Sequence, residues 1–252
     1  MKSLSIIQSV ELFHLLFLDF LGRKIEKKLY ALKGGCNLRF FLKSIRYSQD
    51  IDLDVQTIRK DTLRNLVNKI LQSTPFHMVL QTKGMSIDEI SEPKQTETTQ
   101  RWKIKLLALN AASINTKIEF SRRGIDDMLH FDAIDSLIIQ NYQLSPILAN
   151  HYTREAAFKQ KISALALRNE TQARDVFDLH HLLNMGVGCP RSADELKDQR
   201  KKAIENAIAL SHDEFLGQVV AFLPLDYQQQ YRPIEMWNTI LDRVVEKLSE
   251  GI

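Results

Sequence analysis

An α/β fold of the α+β kind, with a mixed sheet in the first half and helices alone in the second, is what this sequence predicts. Three observations carry it. Period-two alternation of polar and aliphatic residues, clearest in Asp50–Val55 (DIDLDV), is confined to positions before about 123. Apolar residues at helical spacing dominate the chain beyond about 150. A glycine pair, Gly34-Gly35, follows a short apolar run and precedes an amphipathic one, as where a strand turns into a helix. The expected division is a mixed-sheet α/β domain over 1–125 followed by a helical domain over 126–252.

Taken in order, Leu4, Ile7, Leu12, Leu15, Leu16 and Leu18 set the apolar face of a helix over 4–20. A basic tract (Arg23, Lys24, Lys27, Lys28) leads into a strand over 29–32, which the glycine pair ends. A short helix over 37–44 and the 50–55 strand follow. Ile58, Leu63, Leu66, Val67, Ile70 and Leu71 form the inner side of a helix over 57–72. Strand-like runs occupy 77–83, 101–109 and 114–120, with the polar stretch 91–100 (SEPKQTETTQ) as a surface loop and Asn110 in a turn. Helices are expected over 153–169, 174–185, 192–209, 212–222 and 233–249, broken near Gly186, at Gly188-Cys189-Pro190 and at Pro224.

The 252 residues carry 34 Lys plus Arg against 31 Asp plus Glu, a formal net charge of only +3. That balance argues against binding nucleic acid by bulk charge, while leaving a local nucleotide or RNA groove open. With 44% apolar and 26% charged residues the chain is globular in composition. Its two cysteines, Cys36 and Cys189, are too few and too far apart for a disulfide scaffold or a zinc finger, so a reducing, cytoplasmic setting is expected. The most apolar run, LFHLLFLDFL at 12–21, contains His14 and Asp19 and is about half the roughly 20 residues of a membrane span. Glu11 and Asp19 also exclude a signal peptide, and no membrane partner is expected.

The informative stretch is Lys33–Asp54, KGGCNLRFFLKSIRYSQDIDLD. Glycines directly after a strand allow backbone N–H groups to approach phosphates closely, and the helix behind them adds its dipole. Asp50, Asp52 and Asp54, two apart on a strand, project from one face and repel. A solvated strand face is one account of such a string. Two divalent cations bridging carboxylates and phosphate oxygens is the other. An EF-hand fails because its sixth position, counted from Asp50, is Val55 rather than glycine, and no GxxxxGK[ST] loop occurs.

Gly34-Gly35 followed by Arg46-Tyr47-Ser48-Gln49-Asp50-Ile51-Asp52-Leu53 resembles the first motif of the polymerase-β-type nucleotidyltransferase superfamily. More narrowly, LKGGCNLRFF and RYSQDIDLDV are similar to the AbiEii/AbiGii toxin family of bacterial abortive-infection systems. The resemblance implies that Gly34, Gly35 and Ser48 hold a nucleoside triphosphate and that Asp50 and Asp52 bind Mg²⁺ or Mn²⁺. The residue after the glycines, commonly Thr or Ser in the family, is Cys36 here, a weaker hydrogen-bond partner. The family's third acid, in a Lys-x-Asp/Glu motif, corresponds to Glu119 of INTKIEF, with Lys117 two residues earlier; an edge-strand charge pair is the structural account of the same triplet.

A second stretch, Glu155–Leu179 (EAAFKQKISALALRNETQARDVFDL), places Lys161 and Arg168 on one helix face and Arg174, Asp175 and Asp178 on the next helix. Snorkelling lysines and structural Arg–Asp pairs would give such a pattern. The string is also similar to the family's later motifs. That similarity implies that Lys161, with Arg168 on its face, meets the triphosphate and that Asp175 or Asp178 completes the catalytic set, in a cleft between the two domains. Spacing does not apportion roles between the two acids.

The resemblance, spanning about 8–183, implies transfer of a nucleoside monophosphate to an acceptor. That acceptor is expected to be RNA such as tRNA, in a type IV-like toxin restrained by a neighbouring antitoxin. A small-molecule or protein acceptor, or a non-catalytic nucleotide-binding module, are the alternatives. Other chemistry finds little support. His180-His181 lacks an HExxH frame, and no GxSxG elbow exists. His14 and His77 are expected to be packed, as are Trp102 and Trp237. The tail cluster Arg191, Lys197, Arg200, Lys201 and Lys202 against Asp194, Glu195 and Asp198 is expected to be a solvated helix face rather than an RNA or protein contact.

Overall fold

The computed structural model describes residues 4–108, 111–125, 128–188 and 194–250. Asn110, the Cys189-Pro190 break, Arg191 and the side chains of Asp194 and Glu195 lie outside the described residues. The chain forms two compact units, one of Met1–Lys43 with Tyr47–Tyr152, the other of Thr153–Ile252 with the short segment Ser44–Arg46.

In the first unit, α1 (Ile6–Gly22) starts at a capping box in which Ser5 and Gln8 each satisfy the other's backbone N–H. Its residues Leu12, Phe13, Leu15 and Phe17 are completely buried, each apolar side chain contributing roughly 1.5–3 kcal/mol. Strand β1 (Tyr30–Lys33) runs directly into the short helix α2 (Gly34–Phe40). Then come β2 (Ile51–Val55), α3 (Lys60–Leu71), α4 (Thr74–Thr82), β3 (Met85–Gln95), β4 (Thr99–Ala108), β5 (Ala111–Ser121), β6 (Leu129–Ala133), α5 (Ser136–Asn141) and β7 (Leu148–Tyr152). The seven strands form one mixed sheet in the order β3-β4-β5-β2-β1-β7-β6, parallel at β2/β5 and β1/β7 and antiparallel elsewhere.

Pairing registers sort the side chains onto two faces. Ile51, Leu53, Ile118, Phe120 and Trp102 share the apolar face, where the Trp102 indole donates to Asn68 Oδ1 at 2.7 Å. Asp52, paired with Lys33 on one side and Glu119 on the other, lies on the opposite face. Glu11, buried on α1, is matched by Arg39 at 2.6 Å and by the Tyr142 hydroxyl at 2.8 Å.

Three sequence expectations are corrected. Residues 77–82 belong to helix α4, with Lys83 as its C-cap, because Ser73 caps its N-terminus and Pro75 sits in its first turn. Ser91–Gln95, expected in a loop, extends β3, an edge strand that tolerates Pro93 at a break in register between Ser91 and Lys94. The strands do not end near 123: β6 and β7 lie beyond, so the sheet-bearing unit continues to Tyr152.

The second unit is helical: α6 (Arg154–Leu167), α7 (Ala173–Asn184), α8 (Asp194–Ile208), α9 (His212–Gln218), α10 (Leu225–Tyr231) and α11 (Ile234–Ser249). The expected 212–222 helix is shorter, since α9 gives way to a 3₁₀ turn over Val220–Phe222. Phe158, Ile162, Leu179, Phe215, Trp237 and Ile240 fill its core, with Phe215 stacked on Trp237 at 4.8 Å. Arg200 departs from the expected solvated tail face. It is buried, and its guanidinium donates to the carbonyls of Leu248 and Glu250, satisfying the C-terminal end of α11. No helix among the described residues is long and apolar enough to cross a membrane.

Candidate active site

The polar face of the sheet gathers four of the expected residues. β2 carries Asp52, Asp50 immediately precedes that strand, β5 carries Glu119, and Gly34 opens α2 beside them. The parallel β2/β5 register sets Asp52 directly against Glu119, and the antiparallel β1/β2 register sets it against Lys33. Lys117 Nζ lies 2.7 Å from Asp50 Oδ2, and Arg101 Nε lies 2.6 Å from Glu119 Oε2. Asp54 is fully engaged, by Lys33 at 2.5 Å and by the Tyr152 hydroxyl at 2.8 Å, so the third acid of the string is structural.

Asp52 differs from its neighbours. It makes no hydrogen bond or ion pair among the described residues. Burial raises its pKa, and Asp50 and Glu119 push it further up, against the opposing pull of Lys33 and Lys117. Its carboxylate lies against the Cα of Gly34: a Cβ there would meet Asp52 Oδ2 at 2.9 Å. Gly34 also adopts φ 66°, so two independent restraints disfavour a side chain at that position.

The approach to Asp50 is fixed from beneath by its backbone. Ser48 Oγ donates to the Asp50 carbonyl at 2.8 Å, and Cys36 Sγ reaches the same oxygen at 3.3 Å. Thr116 donates to the Gln49 carbonyl at 2.7 Å, which leaves its oxygen to accept from His14 Nε2, also at 2.7 Å. His14 is entirely buried, and burial drops its pKa to about 3, so it acts as a neutral packed imidazole. Burial and the nearby Asp52 raise the Cys36 thiol well above its ordinary range, and Cys36 faces the interior rather than solvent. His14 and Thr116 carried no sequence signal for this role, because they meet only through packing of α1 on β5.

Within the helical unit, Lys161, Arg168, Asp175 and Asp178 form one group. Lys161 Nζ lies 2.7 Å from Asp175 Oδ1 and 2.6 Å from Asp178 Oδ2. Arg46 grips Asp178 through both Nε and Nη2, the closest contact being 2.8 Å. Arg168 Nε is 3.4 Å from Asp175 Oδ2, an oxygen that is buried without a hydrogen bond. Burial alone would raise the Asp178 pKa, but Arg46 and Lys161 outweigh it and hold the carboxyl at about 2. Arg46, which lies in the first motif of the resemblance but was given no role by the sequence, is the partner that spacing could not supply.

The donor set on the sheet face is hard oxygen from Asp50, Asp52 and Glu119, the chemistry that Mg²⁺ and Mn²⁺ prefer. The space beside the Gly34 Cα is taken by the Asp52 carboxylate, so the glycine fixes where that acid sits.

Comparisons with known proteins bear on the fold and the family. No curated protein matches the chain in sequence. Among solved structures, the chain resembles JHP933 from Helicobacter pylori with a TM-score of 0.58 at 17% identity, covering 99% of this chain and 96% of that one. It also resembles MenT4, a nucleotidyltransferase toxin from Mycobacterium tuberculosis H37Rv, with a TM-score of 0.61 at 16% identity, covering 96% of this chain and 83% of that one. At such identities these neighbours speak for the fold. The family model described as the nucleotidyl transferase AbiEii toxin of type IV toxin–antitoxin systems matches residues 16–247, and the chain therefore belongs to that family of nucleotidyltransferases.

Proposed function

We propose that the polar sheet face is the catalytic centre of a Mg²⁺-dependent transfer of a nucleoside monophosphate from a nucleoside triphosphate to RNA, with tRNA as the favoured acceptor. The observation that carries this reading is Asp52: a carboxylate with a raised pKa, free of ion pairs among the described residues, held against a glycine where a side chain would be strained and would crowd it. Structural acids are matched, as Asp54 is; an unmatched one beside two others is suited to binding cations. In this reading Asp50, Asp52 and Glu119 hold the metal, for which Mn²⁺ is the substitute. Gly34 and Gly35 offer backbone amides to the phosphates, and Ser48 fixes the loop that presents Asp50. When bound, divalent cations supply charge neutralisation at the α-phosphate and departing pyrophosphate and acidify the acceptor hydroxyl.

Lys117 and Arg101 are the counter-cations of Asp50 and Glu119, and both are partly exposed, so in this reading they exchange those carboxylates for phosphate oxygens. Lys161, Asp175 and Asp178, with Arg168 and Arg46, are assigned a positioning role, because their charges are matched within the helical unit. A cognate antitoxin restraining the enzyme follows from the toxin–antitoxin assignment of the family.

The test is label transfer. The chain and its Asp52→Asn variant are incubated with Mg²⁺, each α-labelled nucleoside triphosphate in turn, and total bacterial RNA. Label in a tRNA-sized band from the unaltered chain alone is the expected result. Equal labelling by the variant would remove Asp52 from the centre. Label confined to protein or to a small molecule would replace RNA as the acceptor.

A further inference from the structure

On the other face of the sheet, away from the carboxylates of β2, two histidines and an aspartate converge at one edge. His130 and Asp132 are two apart on β6, so they share a face, and His151 on β7 is the register partner of His130. His151 is also the parallel partner of Leu32, which assigns the trio to the face opposite Lys33 and Asp52. One ligating atom from each of the three residues lies within 4.8 Å of the other two. His151 Nε2 is 3.1 Å from Asp132 Oδ2, and His130 Nδ1 is 3.8 Å from the same oxygen.

The protein prepares His151 for a ligand. Its side chain is 3% exposed, and the Phe41 ring stacks on it at 3.9 Å with an interplanar angle of 4°. Asn37 donates through Nδ2 to the Tyr152 carbonyl at 3.0 Å, so its Oδ1 is turned to accept from His151 Nδ1, 3.1 Å away. The Nδ1 proton is thus held by Asn37 and the Tyr152 carbonyl, and the Nε2 lone pair is aimed at a carboxylate oxygen. Two acceptors facing each other at that distance require a positive charge between them. An imidazole whose far nitrogen is tied to an amide or carbonyl acceptor is the outer-shell arrangement that orients histidine on metals. A cavity of about 340 Å³ lined by Phe40, Phe41, Lys43, Asp132, Ala133 and Asp135 borders this edge at Asp132.

We propose that His130, Asp132 and His151 bind one first-row divalent transition-metal ion, of which Zn²⁺ is the representative, clamping edge strand β6 to β7. Two imidazoles and one carboxylate select such an ion over Mg²⁺, which suits the all-oxygen set of Asp50, Asp52 and Glu119. Three protein ligands leave a coordination position for water or a small anion. The site is independent of the nucleotide-transfer reading, since it shares no residue with that face.

The experiment is titration of the chelator-treated full chain with Zn²⁺ by calorimetry, with Co²⁺ absorption as a spectroscopic readout. His130→Ala and Asp132→Ala are the informative variants, because these side chains are 63% and 59% exposed and their loss leaves the core intact. The expected result is one Zn²⁺ per unaltered chain, at least about 10-fold weaker binding in each variant, and unchanged binding in Asp52→Asn. Loss of the Co²⁺ visible bands should follow the same pattern, and Mg²⁺ should not compete. Equal affinity in both variants, or no saturable binding to the unaltered chain, would overturn the site. The second outcome would reassign the positive charge to a proton on His151.

Discussion

Asp52 in the sheet and Asp178 in the helical unit are carboxylates of the same chemistry, each with two cations in its field, and they are driven in opposite directions. Asp178 is held directly by Arg46 and Lys161, which overcome burial and bring its pKa down to about 2. Asp52 feels Lys33 and Lys117 only through space. Those cations are spent on Asp54 and Asp50, and Asp52 is left with burial and two acidic neighbours, all raising its pKa. The difference teaches that a carboxylate's role is decided less by the cations nearby than by where those cations are already committed. One carboxylate is closed by its partners; the other is kept open.

Removing the closed one should have the largest effect. Asp178→Ala leaves Arg46 and Lys161 buried beside a lost charge, at a cost of about 3–5 kcal/mol. At roughly 2–4 °C per kcal/mol for a chain of this size, thermal melting should fall by about 10 °C. A drop of under 2 °C would mean that the group is not a structural unit. Asp52→Asn should do the reverse: transfer falls by about 10³-fold while the melting temperature is unchanged or slightly raised, since a repulsive charge has gone. A variant that loses stability and activity together would erase the contrast between the two acids.

The pH dependence sharpens the same contrast. Asp178 has its folded pKa depressed from 3.8 to about 2, so its contribution of roughly 2 kcal/mol is present above pH 3.8 and lost as pH falls toward 2. Asp52 has its folded pKa raised, so its contribution is present below its ordinary pKa and lost as pH rises through the folded value. Acid unfolding monitored by circular dichroism should therefore flatten between pH 4 and 2 in Asp178→Asn and keep its slope there in Asp52→Asn. Cys36→Ser should have the smallest effect. A hydroxyl can still donate to the Asp50 carbonyl, and both stability and transfer rate should stay within about 1 kcal/mol of the unaltered chain. A large rise in KM for nucleotide would put residue 36 on the phosphates instead.

What could be foreseen from the residues follows the range of the forces involved. The DIDLDV strand and the glycine pair were legible because a period of two and a turn-forming glycine are local properties. Helix α4 was misjudged although its Ser73 and Pro75 were in plain view, since the apolar run behind them is too short for periodicity to arbitrate. β3, β6 and β7 were missed because they lie at or next to the sheet's edges, where polar side chains are tolerated and alternation is blurred. That Asp50, Asp52 and Glu119 share a sheet face beside Gly34 is legible in the spacing and motif order, whereas Arg101, which pairs with Glu119, and Lys33, which faces Asp52 in register, carry no sequence signal as their cations. Arg46 and Asp178 lie 132 positions apart, a pairing that only the folded chain makes.

The contact between Gly34 and Asp52 turns the sheet face into a gauge of length as well as charge. With 2.9 Å between a would-be Cβ and the Asp52 oxygen, the carboxylate already fills the space above the glycine. One more methylene, as in glutamate, has no slack to take up and must swing the acid away from the Asp50 and Glu119 side of the sheet. A substitution that keeps the charge would then disable the enzyme nearly as fully as one that removes it.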